Sequence, residues 1–328
     1  MIDINNLTEE QKQQLIIALQ ASLKSSKSAA VKLSEELREA RFNKGFICPH
    51  CGDAHIVRHG TYKGKQRYLC RNCNSTFGDL TNTPLSRAKL PEKWAPFIEC
   101  MLHGYSLRKS SEIIGVSYVS LFYWRHKLLA ALTESENTPF NGIVEMDDTF
   151  FRYSEKGKKN LKNRKPRKRG GRASSAGFNI EHVSVLVARD RVKNTYSRVA
   201  GLGRIGALTV DKHIGGLISA DNILCTDGFK PFKKYARDRG IECYGFAAVR
   251  VYKSIYHIQN VNNYHMRLKK WMDRFNGVAS KYLDNYLAWF RFIDSKVFER
   301  TMDILTESCL HNTHNTNISL RMSGFTAA

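Results

Sequence analysis

Two adjacent aspartates, Asp147 and Asp148, stand in the apolar, aromatic-rich run EMDDTFF, where a β-strand is predicted. A third acid, Asp227, closes a second apolar run, NILCTDGF. Carboxylates buried close together repel one another unless a cation lies between them, and Mg²⁺ prefers oxygen ligands. We therefore expect Asp147 and Asp227 to share divalent cations. Two Mg²⁺ ions roughly 3.5–4 Å apart would support phosphoryl transfer by activating a water or a 3′-hydroxyl.

A long helix is predicted downstream, because apolar residues recur close to the helical period in YHIQNVNNYHMRLKKWMDRF. Asn262 lies on this helix, and Lys269 follows two turns later on nearly the same face. The helix therefore offers an amide oxygen and a cation on one side.

A separate cluster of metal-binding side chains lies nearer the N-terminus. Its four cysteines form two C-x2-C pairs separated by eighteen residues: Cys48, Cys51, Cys70 and Cys73. Each pair suits a short turn that directs two thiolates at one ion, and four thiolates complete a tetrahedral structural zinc site. There are two alternatives. A histidine, His50, His55 or His59, could replace one of the cysteines as a ligand, or the thiols could bind no metal. Short strands are predicted between the pairs, which indicates a zinc ribbon whose metal has no open position for chemistry.

The overall charge indicates a polyanionic partner. The 328 residues include 52 Lys and Arg against 30 Asp and Glu, a formal charge of +22 with a pI near 9.7. Residues 156–172 hold ten of the basic residues and follow directly on the acidic strand, so phosphate contact is favoured over a merely solvated loop. The candidate contacts in this run are Lys165, Arg167, Lys168 and Arg169.

Membrane insertion is not expected. No apolar stretch reaches the ~20 residues that cross a bilayer, and the first residues lack the features of a signal peptide. We therefore expect a cytoplasmic protein, bound to DNA.

A helix-turn-helix is predicted between residues 92 and 130. Gly115 suits the turn, and Ser117 suits the start of a second helix that carries basic and aromatic residues. Arg125 and Lys127 on that helix are candidate DNA contacts. Packing of an ordinary helical hairpin is the alternative.

These features, in this order, resemble the bacterial insertion-sequence transposases that have a zinc ribbon and a DDE-type, RNase H-like catalytic domain. The resemblance covers roughly residues 45–295 and is carried by VEMDDTFF, by LCTDG and, most specifically, by HIQNVNNYHMRLKKWMDRFNGVASKYLDNYLAWF. It implies Asp147 and Asp227 as the first two catalytic acids. Asp148 stands where relatives commonly carry Glu, and the alternation of a strand places it on the opposite side from Asp147.

The third catalytic position departs from the wider superfamily, in which it is Glu. The matching residue here is Asn262, 35 positions after Asp227. An amide oxygen still coordinates Mg²⁺, but it is neutral and cannot act as a base, so a lower metal affinity is expected. Some members of the zinc-ribbon group also carry Asn there with Lys seven residues on, which implies that Lys269 clamps a phosphate.

The resemblance implies a mixed α/β, multi-domain (α+β) chain. The expected parts are a helical N-terminal segment at 1–43, the zinc ribbon at 44–90, a helix-turn-helix at 91–136, an RNase H-like catalytic domain at 140–298, and a tail at 299–328. The expected activity is binding of terminal inverted repeats followed by metal-dependent strand cleavage and transfer. The expected cofactors are one structural Zn²⁺ and two catalytic Mg²⁺, with Mn²⁺ as a substitute.

The expected partners are element ends and target DNA, both double-stranded. A homodimer or larger assembly and association with the bacterial nucleoid are implied as well. Two alternatives remain: a domesticated, catalytically inactive DNA-binding protein that keeps the fold, and a nuclease without strand transfer.

Two further signals are weaker. GLGRIG satisfies G-x-G-x-x-G, but no series of βαβ units follows, so a glycine-rich turn is favoured over a nucleotide site. His257 and His265 flank Asn262, and a helix-surface or DNA-contacting role is favoured over metal ligation; contact of His265 with the scissile phosphate is an alternative.

Overall fold

The computed structural model describes residues 8, 11–16, 35, 38–39, 41–43, 45–133, 138–161, 177–246 and 255–295. The chain falls into two compact units that divide between Ala131 and Leu132. Two sets of predictions lie outside the described residues: the basic candidates Lys165, Arg167, Lys168 and Arg169, and the tail at 299–328. The helical N-terminal segment predicted at 1–43 is described only in part, and residues 11–16 of it are helical.

The first unit contains the predicted ribbon. Its three antiparallel strands are β1 (Ile56–Tyr62), β2 (Lys65–Cys70) and β3 (Thr76–Phe77), in that order across the sheet. Lys63 and Gly64 both have positive φ, as a two-residue hairpin turn between β1 and β2 requires. The predicted strands between the cysteine pairs are thus confirmed.

The helix-turn-helix of the first unit follows. Its helices are α1 (Trp94–Leu102), α2 (Leu107–Ile114) and α3 (Tyr118–Thr133). The hydroxyl of Ser106 caps α2 by accepting the Lys109 N–H at 3.2 Å, and Gly115 ends that helix with a φ of 71°. The predicted turn at Gly115 is confirmed.

The structure contradicts one of the predicted DNA contacts, Arg125. Its side chain is only 3% exposed, because it lies one turn after Leu121, which is fully buried on the core side of α3. Lys127 is partly buried. The side chains of α3 that remain about half exposed are Tyr118, Val119 and Tyr123.

The second unit is built on a five-stranded sheet. The strands are β4 (Ile143–Arg152), β5 (His182–Asp190), β6 (Thr195–Leu202), β7 (Ile223–Thr226) and β8 (Glu242–Gly245). Their order is β6-β5-β4-β7-β8, with β4, β5 and β6 antiparallel and β7 and β8 parallel to β4. Numbered within this unit, the order is 3-2-1-4-5, the mixed sheet of the RNase H-like fold that the resemblance implied.

Four helices accompany this sheet: α4 (Ala207–Ile214), α5 (Lys230–Asp238), α6 (Gln259–Asp273) and α7 (Leu283–Ser295). Val144 and Met146 of β4 share a core with α4 and α5. The alternate residues of β4 point to the other face, where Glu145 contacts the start of α6. The sheet is therefore covered on both faces, and neighbouring residues of β4 meet different helices.

β7 is much shorter than β4, and this difference creates an opening. β7 pairs with β4 only from Ile143 to Met146. Within the described residues, β4 has no strand partner on that side from Asp147 onward. Side chains from both faces of β4 can therefore reach the same space.

Candidate active site and zinc centre

A cleft of about 710 Å³ lies where β4 continues past the end of β7. Its lining includes all four residues predicted to act in catalysis: Asp147, Asp227, Asn262 and Lys269. They come from a strand, a strand end and a helix that are far apart in the sequence. The structure therefore brings together the residues that the sequence singled out.

Asp147 is held in the cleft by its own backbone neighbour. Its Oδ1 accepts the N–H of Asp148 at 2.8 Å, and its Oδ2 lies 3.7 Å from Nδ1 of His265. Burial raises the pKa of Asp147 to about 7, and the nearby charges of Asp227 and Asp148 add to the effect. The site thus favours a proton or a cation on this carboxylate.

Asp227 directly follows β7 and is positioned by a tight turn. Its Oδ1 accepts the N–H of Phe229 at 2.8 Å, while Gly228 between them has a φ of 87°. Pro231 then lies in the first turn of α5, where it is readily accommodated. The sequence TDGFKP therefore both ends the buried strand and orients the carboxylate of Asp227.

Helix α6 presents one side to the cleft. Asn262, His265, Met266 and Lys269 all line it, at the 3-, 4- and 7-residue spacing of one helix face. Asn262 and Lys269 are exposed there. His265 is buried, and this burial lowers the pKa of His265 to about 3. The positive charge of Lys269 is a second, smaller cause. His265 is therefore a neutral ring beside Asp147 and not the helix-surface residue that was expected.

Asp148 lines the same cleft from the other face of β4. It pairs with Leu186, whose side chain belongs to the core under α4 and α5. Burial and the charge of Asp227 raise the pKa of Asp148 to about 6, and its buried Oδ2 has no hydrogen-bond partner among the described residues. Asp148 thus brings a third carboxylate to the cleft.

The four cysteines converge as predicted. The sulfur atoms of Cys48 and Cys73 are 3.7 Å apart, and those of Cys51 and Cys70 are 3.6 Å apart. All four lie within 4.8 Å of one another, close to the separation of roughly 3.8 Å expected for thiolates around tetrahedral zinc. Hydrogen bonds from Ser75 lower the pKa of Cys73 to about 6, which favours the thiolate that zinc binds.

In the described part of the chain, no other group of three His, Cys, Asp or Glu ligands is drawn together so closely. The histidines considered as alternative zinc ligands are not members of the group; His55, for example, is bonded to Asp53. The four-cysteine cluster is a structural zinc site.

Two family comparisons match the two parts of the chain. Residues 32–76 match the transposase zinc-ribbon domain of the IS1595 group, and residues 139–293 match the ISXO2-like transposase domain of the same group. The chain belongs to the zinc-ribbon, DDE-type insertion-sequence transposases.

The transposase is also similar to an uncharacterized protein in transposable element ISH50 of Halobacterium salinarum. The two are 25% identical over 264 residues, which cover 78% of this chain and 87% of the relative.

Two solved structures are more distantly similar. One is a chain in the simian T-cell lymphotropic virus intasome with PP2A regulatory subunit B56 gamma, at 12% identity and a TM-score of 0.28, covering 60% of this chain and 67% of that chain. The other is a chain in a pre-cleavage Mos1 transpososome, at 12% identity and a TM-score of 0.23, covering 65% and 76%.

Sequence reasoning missed the residue that fixes α6 in the transposase. Glu145 is fully buried, and it accepts the N–H of Val261 at 2.9 Å and the side-chain amide of Asn260 at 2.8 Å. Arg191 forms an ion pair with the same carboxylate at 2.6 Å, and Nδ1 of His257 lies 3.2 Å from it. Glu145 therefore anchors the first turn of α6, one residue before Asn262.

Arg204 was missed because it stands inside the discounted GLGRIG motif. That motif starts with Gly201 and Leu202, the last two residues of β6, and continues as the expected glycine-rich turn, which places Arg204 in the lining of the cleft. A signal was present in the sequence, since a basic residue between the glycines of an exposed turn is well suited to meet a phosphate. In the described residues, no helix of the transposase has the length and apolar character of a membrane span.

Proposed function

We propose that the transposase cleaves the ends of its insertion sequence and joins them to target DNA, with Asp147, Asp227 and Asn262 as ligands of two Mg²⁺ ions. One observation carries the proposal. These three residues lie far apart in the sequence, yet all line one cleft together with Lys269.

The donors fit hard divalent cations. The residues offer carboxylate and amide oxygens, and burial raises the pKa of Asp147, as expected of a carboxylate that lacks a counter-charge. Oδ2 of Asp148, which has no hydrogen-bond partner in the part of the chain that the structure describes, is a further oxygen available nearby. The acids are less closely drawn together than the four thiolates, which suits Mg²⁺ because its sites are usually completed by waters and substrate phosphates. Bound Mg²⁺, or Mn²⁺ in its place, would activate the attacking hydroxyl and stabilise the leaving oxygen.

Each residue then has a distinct task. Asp147 and Asp227 supply the negative charge that holds cations, and their backbone hydrogen bonds keep each carboxylate in one orientation. Asn262 adds a neutral oxygen. Lys269 binds a non-bridging phosphate oxygen, and neutral His265 supports Asp147 without competing as a cation. Such alignment and charge are the main contributions of a protein to phosphoryl transfer.

The first unit would bind the terminal inverted repeats as double-stranded DNA. The exposed Tyr118, Val119 and Tyr123 at the start of α3 replace Arg125 as the residues proposed to enter the major groove. Lys165, Arg167, Lys168 and Arg169 remain proposed phosphate contacts. Two ends must be cut and joined, so we expect a homodimer or larger assembly on the DNA.

The test is cleavage of a labelled duplex that carries the element's own end, with Mg²⁺, by the wild-type chain and by Asp147→Ala. Nicking by the wild type alone is the expected result. Asp221→Ala, at an exposed acid outside the cleft, is the matched control and should cleave normally.

Two other outcomes point to the alternatives. Binding without nicking by the wild type, in Mg²⁺ and in Mn²⁺, would identify an inactive DNA-binding protein that keeps the fold. Nicking without joining of the cut end to a supercoiled target plasmid would identify a nuclease.

A further inference from the structure

The cleft has a second wall, on the face of β4 that carries Asp148 and Phe150. Phe178 stacks on Phe150 with ring centroids 3.8 Å apart and planes 13° from parallel. The guanidinium of Arg204 lies 5.5 Å from the Phe178 ring and 5.1 Å from that of Phe229. Arg204 is therefore held in place by aromatic rings.

The aromatic contacts do not engage the hydrogen-bond donors of the guanidinium. Among the described residues, Arg204 forms no ion pair within 4.0 Å and no hydrogen bond, although it lowers the pKa of Asp148 against the larger effects of burial and Asp227. A cation–π contact does not use the N–H donors of a guanidinium as a hydrogen bond to a carboxylate does. An exposed arginine with free donors in a cleft is matched to a phosphate, which it binds through two parallel hydrogen bonds.

Phe178 also keeps an exposed apolar surface in the cleft. Its side chain is 47% exposed although one face is covered by Phe150. An apolar surface next to a phosphate-binding group is what a nucleotide requires, because its sugar and base are the less polar parts beside each phosphate.

We infer that Arg204 and Phe178 form a nucleotide subsite, in which Arg204 binds a phosphodiester neighbouring the scissile one and Phe178 packs against the attached sugar or base. The inference rests on the proposed function, since it names a further contact of the same DNA strand. The competing explanation is that Arg204 only offsets the negative charge of its neighbour Asp148.

Affinity separates these explanations. The full-length chain is titrated with a labelled duplex carrying the element's end, without divalent metal so that no cleavage competes. Arg204→Ala should weaken binding roughly tenfold and lower the slope of log affinity against log salt by about 1, as for one lost phosphate contact. Arg204→Lys should recover much of the slope, and Arg237→Ala, at an exposed arginine of α5, is the matched control.

The same loss is then measured in an Asp148→Asn background. A phosphate contact predicts the same factor with and without the Asp148 charge. If Arg204 acts only as a counter-charge, the loss disappears in that background and the inference is overturned. Phe178→Ala should weaken binding at every salt concentration without changing the slope, whereas an unchanged affinity would remove Phe178 from the subsite.

Failure of the subsite differs from failure of the proposed function. An unchanged affinity and slope for Arg204→Ala, in a chain that cleaves DNA and loses cleavage with Asp147→Ala, would overturn the subsite alone. Absence of cleavage by the wild type would overturn the proposed function, while the affinity measurements would still decide whether Arg204 contacts DNA. Circular dichroism of each variant establishes that it has folded.

Discussion

The carboxyl group of Asp147 is buried beside two other acids, so its ionisation opposes folding when no cation is bound. Its pKa rises from 3.8 to about 7. A group with a raised pKa favours the folded state in its protonated form. The stability associated with Asp147 is therefore complete below about pH 4 and is lost as the pH rises through about 7.

Asp147→Asn should consequently stabilise the Mg²⁺-free protein, with its zinc retained, at pH 8. The shift of about three pKa units sets an upper limit of about 4 kcal/mol, and the gain should vanish near pH 4. Thermal unfolding in a chelating resin-treated buffer at both pH values measures it. Asp221→Asn, at an exposed acid, should change little at either pH, and a gain of equal size at pH 4 would contradict the explanation.

Glu145 is predicted to affect cleavage indirectly, by holding the start of α6 in place. Glu145→Gln removes the carboxylate that pairs with Arg191 and weakens two bonds to the start of α6, so it should destabilise the protein by about 2–4 kcal/mol in urea unfolding. Cleavage should fall further than stability explains, because α6 carries Asn262 and Lys269. Glu242→Gln, on the exposed part of β8, should affect neither. Full cleavage by the folded variant would argue against the anchoring role.

At the scale of elements, the sequence predicts most of what the structure contains. The strands around Asp147 and Asp227, the ribbon and the two caps of α2 follow from local patterns of apolar residues, serine and glycine. Asn262 and Lys269 could be placed on one face by helical spacing alone. Arg125 could not be placed, because its exposure depends on the rotation of α3 against its neighbours.

Arg204, Phe178 and Glu145 depend on contacts between distant segments. Arg204 and Phe178 line the cleft only because β7 ends opposite Met146, a length that no pattern near either residue encodes. In the sequence, nothing distinguishes Glu145 from an ordinary acid two residues before Asp147. Glu145 is buried because the start of α6, more than 100 residues later in the sequence, packs over it.

The turn of the helix-turn-helix has a testable requirement. Gly115 has a φ of 71° with open space around its Cα, so Gly115→Ala should cost about 1 kcal/mol from backbone strain alone. Gly216→Ala, also in open space but without positive φ, should be neutral. Chemical denaturation of both variants makes the comparison, and equal effects would place the strain elsewhere.

The ribbon should depend on its metal. One zinc per chain is expected by atomic emission, and Cys51→Ser should lose it and expose residues 56–77 to trypsin. Cys243→Ser, on β8, should keep both the metal and the protection. Zinc retained at full stoichiometry in Cys51→Ser would contradict the four-cysteine site.

At the scale of the whole molecule, the charge of +22 predicts a strong dependence of DNA binding on salt. If six to ten phosphates are neutralised, affinity should fall by roughly 10³–10⁵ between 50 and 200 mM salt. Fluorescence anisotropy of an end duplex and of an unrelated duplex measures both slopes. A flat dependence would exclude phosphate contacts as the main source of affinity.

The order of the elements along the chain also determines which of them is synthesised first during translation. The ribbon and helix-turn-helix are complete once Thr133 has been made, whereas the cleft needs α6 and the helix after it, which ends at Ser295. At about 5–20 residues per second, the intervening 162 residues (295 minus 133) take roughly 8 to 30 seconds to synthesise. Throughout that interval the ribosome carries a nascent chain in which the elements proposed to bind DNA already exist and the proposed cleavage site does not.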